Sequence, residues 1–77
     1  MSVEERLHRV LVDGIGLEIR DIRPNATLKE SLGVDSTEMV EVVVALEKEF
    51  GVKVPEGVIH GGSTIRELVG YFCRESR

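Results

Sequence analysis

Cysteine occurs once in the 77 residues, proline and phenylalanine twice each, tyrosine once and tryptophan not at all. Each scarcity removes a class of protein. With Cys73 alone there is neither an intramolecular disulfide nor a multi-cysteine metal site, and a packing role at the edge of the last helix's apolar stripe is expected for it. With so few aromatic rings, the core must be built from Leu, Val and Ile, which favours helices. The longest uninterrupted apolar run, Val42 to Leu46, falls far short of the ~20 residues of a membrane span. The N-terminus lacks a basic-then-apolar targeting pattern, so a cytosolic chain is expected. Basic residues are in deficit as well: ten Lys and Arg against fourteen Asp and Glu leave a net charge of −4. Nucleic acid is therefore not an expected partner, because phosphate binding needs clustered Lys and Arg.

What is present reads as one small domain, residues 1–77, near the size where a single core supplies only ~3–5 kcal/mol. Ordinary apolar and charged contents indicate a folded chain. A Ser, Thr, Asp or Asn followed three positions later by Glu or Gln is a helix-start signature. It occurs at Ser2–Glu5, Thr27–Glu30, Asp35–Glu38 and Thr64–Glu67. Apolar spacing then predicts a first helix over 3–13, with Val3, Leu7, Val10 and Leu11 on one face and Gly14 and Gly16 as stops. A second runs from Ser36 to Phe50, with Met39, Val42, Val43, Leu46 and Phe50 inward and Gly51 as the stop. A last helix over 65–74 buries Ile65, Leu68, Val69 and Phe72.

Between Gly16 and Val34 lies a long connection, unusual in a compact domain. Leu17, Ile19, Ile22, Leu28 and Leu32 recur through it, so it is expected to pack over the helices, with a turn at Pro24-Asn25 and one helical turn over 27–31. In the segment 57–62, three glycines forfeit roughly 3 kcal/mol of helix propensity. Any helix there is short or eroded, the segment is expected to be the most mobile interior one, and Ile59 is its expected buried anchor. The fold expected is all-α: a small bundle of three to four helices with a long first loop.

Charge is unevenly spread. From Asp35 to Phe50, five acidic residues face Lys48 alone, a balance of −4; the other nine acidic and nine basic residues cancel. Such a face is either simply solvated or complementary to a basic patch on a partner. At its start, Asp35 as N-cap and Glu38 reaching back to it place Ser36 in the first helical turn. There, unpaired N–H groups and the helix dipole favour a negative group. Taken singly, Asp35 need be no more than a cap worth about 1 kcal/mol. His8 and His60 are not adjacent to Ser36 in sequence, and no nucleophile–base–oxyanion arrangement is visible. No catalytic residue and no metal ligand set is expected.

The run Leu32-Gly33-Val34-Asp35-Ser36 followed by an acidic helix resembles the prosthetic-group site of acyl carrier proteins, whose pattern is Asp-Ser-Leu before such a helix. The likeness continues through Glu4-Glu5-Arg6, Asn25-Ala26-Thr27-Leu28, Val42 to Glu47, Val54-Pro55 and Ser63-Thr64-Ile65, so it covers essentially the whole chain and the bacterial free-standing type in particular. Two departures stand out: Thr37 replaces the usual Leu, and glycines fill the place of the family's third helix. Peptidyl carriers more often show Gly-Gly before a polar residue and the serine, and Val34-Asp35 sides with the acyl type.

The resemblance implies that Ser36, beside Asp35, carries covalent 4′-phosphopantetheine donated by coenzyme A through a phosphopantetheinyl transferase. The arm's thiol would hold acyl intermediates as thioesters for fatty-acid, polyketide or lipopeptide synthesis. An aminoacyl, D-alanyl or peptidyl carrier is the alternative within the class, and a helical interaction module without an arm the alternative outside it. The chain itself would be no enzyme and a monomer. Acyl-activating and acyl-transferring enzymes with basic patches would dock on Thr37, Glu38, Val40, Glu41, Val44 and Glu47. By spacing alone, Val40 and Val44 fit either that outer face or the flank of the core. Leu7, Leu28, Leu46, Ile59 and Leu68 match positions that line the family's acyl cavity, besides packing the core.

Overall fold

The computed structural model describes residues 2–75. Its regular elements are α1 (Val3–Arg9), a π-helical turn (Val10–Ile15), a 3₁₀ turn (Ile19–Asp21), α2 (Ser36–Phe50) and α3 (Ile65–Glu75). Three of the four start signatures form reciprocal capping boxes. Glu5 N–H donates to Ser2 Oγ, Glu38 N–H to Asp35 Oδ1 and Glu67 N–H to Thr64 Oγ1, and each glutamate accepts from the cap's own N–H. The fourth does not form. Thr27 instead exchanges bonds with Ser31, whose hydroxyl accepts from Thr27 N–H while Ser31 N–H donates to Thr27 Oγ1. This closes a turn over 28–32 rather than starting a helix.

The first helix runs further than its glycine pattern predicts. It passes over Gly14 by widening into the π turn and stops at left-handed Gly16, whose N–H donates to the Leu11 and Val12 carbonyls. Leu7 and Leu11 are fully buried. Gly14 does not take a positive φ, and only Gly16 adopts the left-handed conformation that ends a helix (φ 92°). α2 has the expected ends, capped by Asp35 and Gly51.

The long connection is ordered by stitching to the start of α3. Leu28 N–H donates to Ser63 O (3.1 Å), Ile65 N–H to Ala26 O (3.0 Å), Arg66 N–H to Pro24 O (2.9 Å) and Lys29 N–H to Gly61 O (2.9 Å). Thr27 and Thr64 form an isolated antiparallel bridge. Of the apolar residues in this connection, Ile22 and Leu28 enter the core, while Ile19 is 56% exposed. Residues 55–63 contain no helix, in keeping with the glycine count, and Ile59 is the buried anchor while Val58 is exposed.

The buried residues of all three helices form one cluster. At one end Phe50 of α2 stacks on Phe72 of α3, with ring centroids 4.6 Å apart, and Tyr71 meets Phe72 edge-on. The Arg6 guanidinium lies 4.5 Å from the Phe50 ring centre and bonds Glu49 through both its carboxylate (2.8 Å) and its backbone carbonyl. Cys73 is exposed, contrary to the packing role expected of it. Directly after the fully buried Phe72, it is turned about 100° around the helix from that core-facing ring.

Candidate functional site

The approach to Ser36 is built by three consecutive residues. Gly33 takes φ 71°, a conformation that costs an L side chain roughly 1–2 kcal/mol, and turns the chain out of the 28–32 turn. Val34 then plugs into the core with 2% exposure, and its N–H donates to Leu28 O (2.9 Å). Asp35 follows in an extended conformation as the cap of α2. The result is an exposed Ser36 at the first helical position, held on a backbone anchored immediately before it.

The Ser36 hydroxyl makes no hydrogen bond among the described residues, and neither histidine bonds it; His60 Nδ1 accepts from Gly62 N–H (3.1 Å). The capping box consumes the Glu38 N–H. The N–H groups of Ser36 and Thr37 have no intrahelical acceptor, as at any helix start, and remain available to an anion attached to Ser36.

Electrostatically, the acidic face is narrower than its sequence indicates. Glu49 is paired with Arg6 at 2.8 Å and Arg9 at 3.5 Å, and the Arg6 hydrogen bond in particular lowers its pKa. Glu47 is half-buried, and its Oε2 accepts from Val54 N–H (2.7 Å), fastening the chain after α2 back onto the helix. No ion pair among the described residues engages Asp35, Glu38 or Glu41, beside Ser36, where the first two carboxylates are held only by the backbone N–H groups of their capping box. Thr37 and Glu41 are exposed, Glu38 is half-buried, and Val40 and Val44 stand 63% and 41% exposed on the outer side of α2.

One turn along from Ser36 a groove of about 190 Å³ opens, walled by Met39, Val40, Val43 and Val44 on α2 and by Val54, Pro55, Glu56, Gly57 and Ile59 opposite. Of the five residues that the resemblance placed around a cavity, only Ile59 lines it. Leu7, Leu28, Leu46 and Leu68 are sealed in the core at 0–2% exposure. The sequence reading placed Val40 and Val44 on a docking face and Met39 and Val43 toward the core, and assigned none of them to a groove. Their signal was an apolar stripe on α2 wider than one core-facing seam, Met39-Val40 followed by Val42-Val43-Val44.

A family model described as the phosphopantetheine attachment site matches residues 5–72. The chain belongs to this family. Phosphopantetheine-attachment domains carry 4′-phosphopantetheine covalently and are carriers rather than catalysts. The residues present fit such a group: an unengaged, exposed serine hydroxyl, two first-turn N–H groups without acceptors, and an apolar groove beginning at Met39 and Val40. No helix among the described residues is long and apolar enough to cross a membrane.

Proposed function

We propose that Ser36 bears the 4′-phosphopantetheine arm and that this protein holds acyl intermediates for biosynthetic enzymes of fatty-acid, polyketide or lipopeptide type. The observation that carries the reading is the exposed, unbonded hydroxyl of Ser36 at the head of a capped helix, with an apolar groove starting one turn away. When attached, the arm supplies a terminal thiol that can hold cargo as a thioester. This chain's residues do the rest. Val34 and the Asp35–Glu38 box fix the serine's position, and the unpaired N–H groups of the first turn would be available to hold the phosphodiester. The serine needs no activating base of its own, because a separate transferase would direct its hydroxyl at the pyrophosphate of coenzyme A, the proton leaving to the transferase and the adenosine bisphosphate departing.

Asp35, Thr37, Glu38, Val40, Glu41 and Val44 form the proposed docking face, acidic near Ser36 and apolar beyond it, suited to the basic patches of a transferase and of acyl-activating and acyl-transferring enzymes. Glu47 enters this face only at its edge, since its carboxylate is engaged with Val54. The whole chain acts in this reading as one cytoplasmic carrier domain. Incubation with coenzyme A and a broad phosphopantetheinyl transferase, followed by intact mass spectrometry, tests the assignment. One arm should be gained by the native protein and none by Ser36→Ala, which should remain folded. Modification of Ser36→Ala would rule Ser36 out; no modification of either protein would favour a module without an arm.

A further inference from the structure

We infer that the outer face of α2 pairs two copies of this chain as a weak antiparallel dimer, in place of the monomer that the resemblance implies. Val40 and Val44, 63% and 41% exposed, form a ridge on this helix. The groove described above follows one flank of the ridge. A second groove, of about 380 Å³, follows the other, walled by Glu41, Ala45 and Lys48 of α2 and by Gly14 and Ile15 of the π turn. Gly14 has open space where a Cβ would stand and Ala45 carries only a methyl, so this second groove can receive an aliphatic side chain from outside.

The charges bordering it select the occupant. Glu41 and Lys48 are exposed, and neither enters an ion pair among the described residues. They stand seven residues apart, roughly 10 Å along the helix axis, too far to satisfy each other. Their midpoint falls between Val44 and Ala45. A twofold axis through that midpoint runs the partner's α2 antiparallel, bringing Glu41 to the partner's Lys48 and Lys48 to the partner's Glu41. The same operation sets Val44 over the partner's Ala45. An isologous contact requires such self-complementarity, whereas a uniformly basic partner in this groove would set Lys48 against like charge. The two Ser36 residues then lie at opposite ends of the pair, each roughly 13 Å along the helix from the axis, and stay open to modification. Val40 and Glu41 are covered, so pairing competes with enzymes docking on α2. So few residues make less than a standard interface, which sets the dissociation constant on the order of 1 mM.

Sedimentation equilibrium of the full chain, from about 0.05 to about 2 mM, should show a monomer–dimer equilibrium that weakens several-fold as salt screens the ion pairs. Glu41→Lys and Lys48→Glu should each abolish the dimer, and the two together should restore it. Net charge alone orders these variants differently. Glu41→Lys takes the chain from −4 to −2 and would strengthen association by easing repulsion between copies. Ala45→Arg, which crowds the axis, should remain monomeric, and it decides the matter should the double variant fail to fold. A native chain monomeric at the highest concentration, tighter association in Glu41→Lys, a folded double variant that stays monomeric, or a dimer that persists in Ala45→Arg would overturn the inference. Arm attachment at Ser36 is read separately by mass, so the carrier reading stands or falls on its own.

Discussion

At Gly33 a single dihedral angle decides how Ser36 is presented. With φ at 71° and open space where a Cβ would stand, the objection to a side chain is conformational rather than steric. Gly33→Ala should cost about 1 kcal/mol in chemical denaturation and should slow arm transfer, since the turn it closes delivers Asp35 and Ser36. Gly61 fails for the opposite reason. Its backbone is unstrained, yet an added Cβ would lie 2.9 Å from Lys29 Cβ, in a place fixed by the Lys29–Gly61 hydrogen bond. Gly61→Ala should therefore destabilise by roughly 1–3 kcal/mol through overpacking, with calorimetry as the readout. Neither effect can be read from the residue name: one glycine answers to an angle, the other to a neighbour 32 positions away.

The helices share one device, a carboxylate accepting the N–H of its own cap. Glu5 and Glu67 have lowered pKa values, chiefly through the backbone hydrogen bonds from Ser2 and Thr64, and Glu49 chiefly through Arg6. All three carboxyls are easier to ionise folded than unfolded. Their stabilisation is thus fully present above the unfolded value near 4.5 and disappears as pH falls through the lower folded values. Melting temperature should hold from neutral pH to about 5 and drop below 4.5. Glu49→Gln should flatten that drop, and a drop of unchanged steepness would show that the Arg6 pair contributes nothing to it. On α2, Glu38 and Glu41 are like charges three residues apart, a repulsion of a few tenths of a kcal/mol. Moderate salt should relieve it and raise the melting temperature. Glu41→Lys should slow transferase modification more than it changes stability. In the 57–62 segment, which contains no helix, amides should exchange much faster than those of α2, as hydrogen exchange can measure.

Across the whole molecule, two long-range connections tie the elements together besides the shared core. One is the backbone stitching of the 24–29 stretch to the start of α3; the other is Arg6, which joins α1 to the end of α2 by an ion pair, a carbonyl hydrogen bond and the face of Phe50. Arg6→Ala removes all three contacts and should cost about 1–3 kcal/mol, and Arg6→Lys should recover only part, because an ammonium cannot serve carboxylate, carbonyl and ring at once. Denaturant titration of both variants reads the difference.

Local interactions were legible in the sequence because they act within a few positions. The three reciprocal caps, the ends of α2 at Asp35 and Gly51, the unformed helix over 57–62 and the exposed first-turn Ser36 all follow from hydrogen bonds, propensities and spacings within one turn. The family frame was visible in the same residues. Tertiary structure decided whatever required a distant partner. Gly14 stands inside a widened helix that ends only at left-handed Gly16, and Thr27 bonds Ser31 rather than Glu30 while its backbone bridges Thr64. Glu47 and Glu49 leave the acidic face because Val54, Arg6 and Arg9 claim them. The groove belongs to this second group. Its two walls, α2 and the 54–59 strip, are each only an apolar stretch in the sequence; packing left space between them.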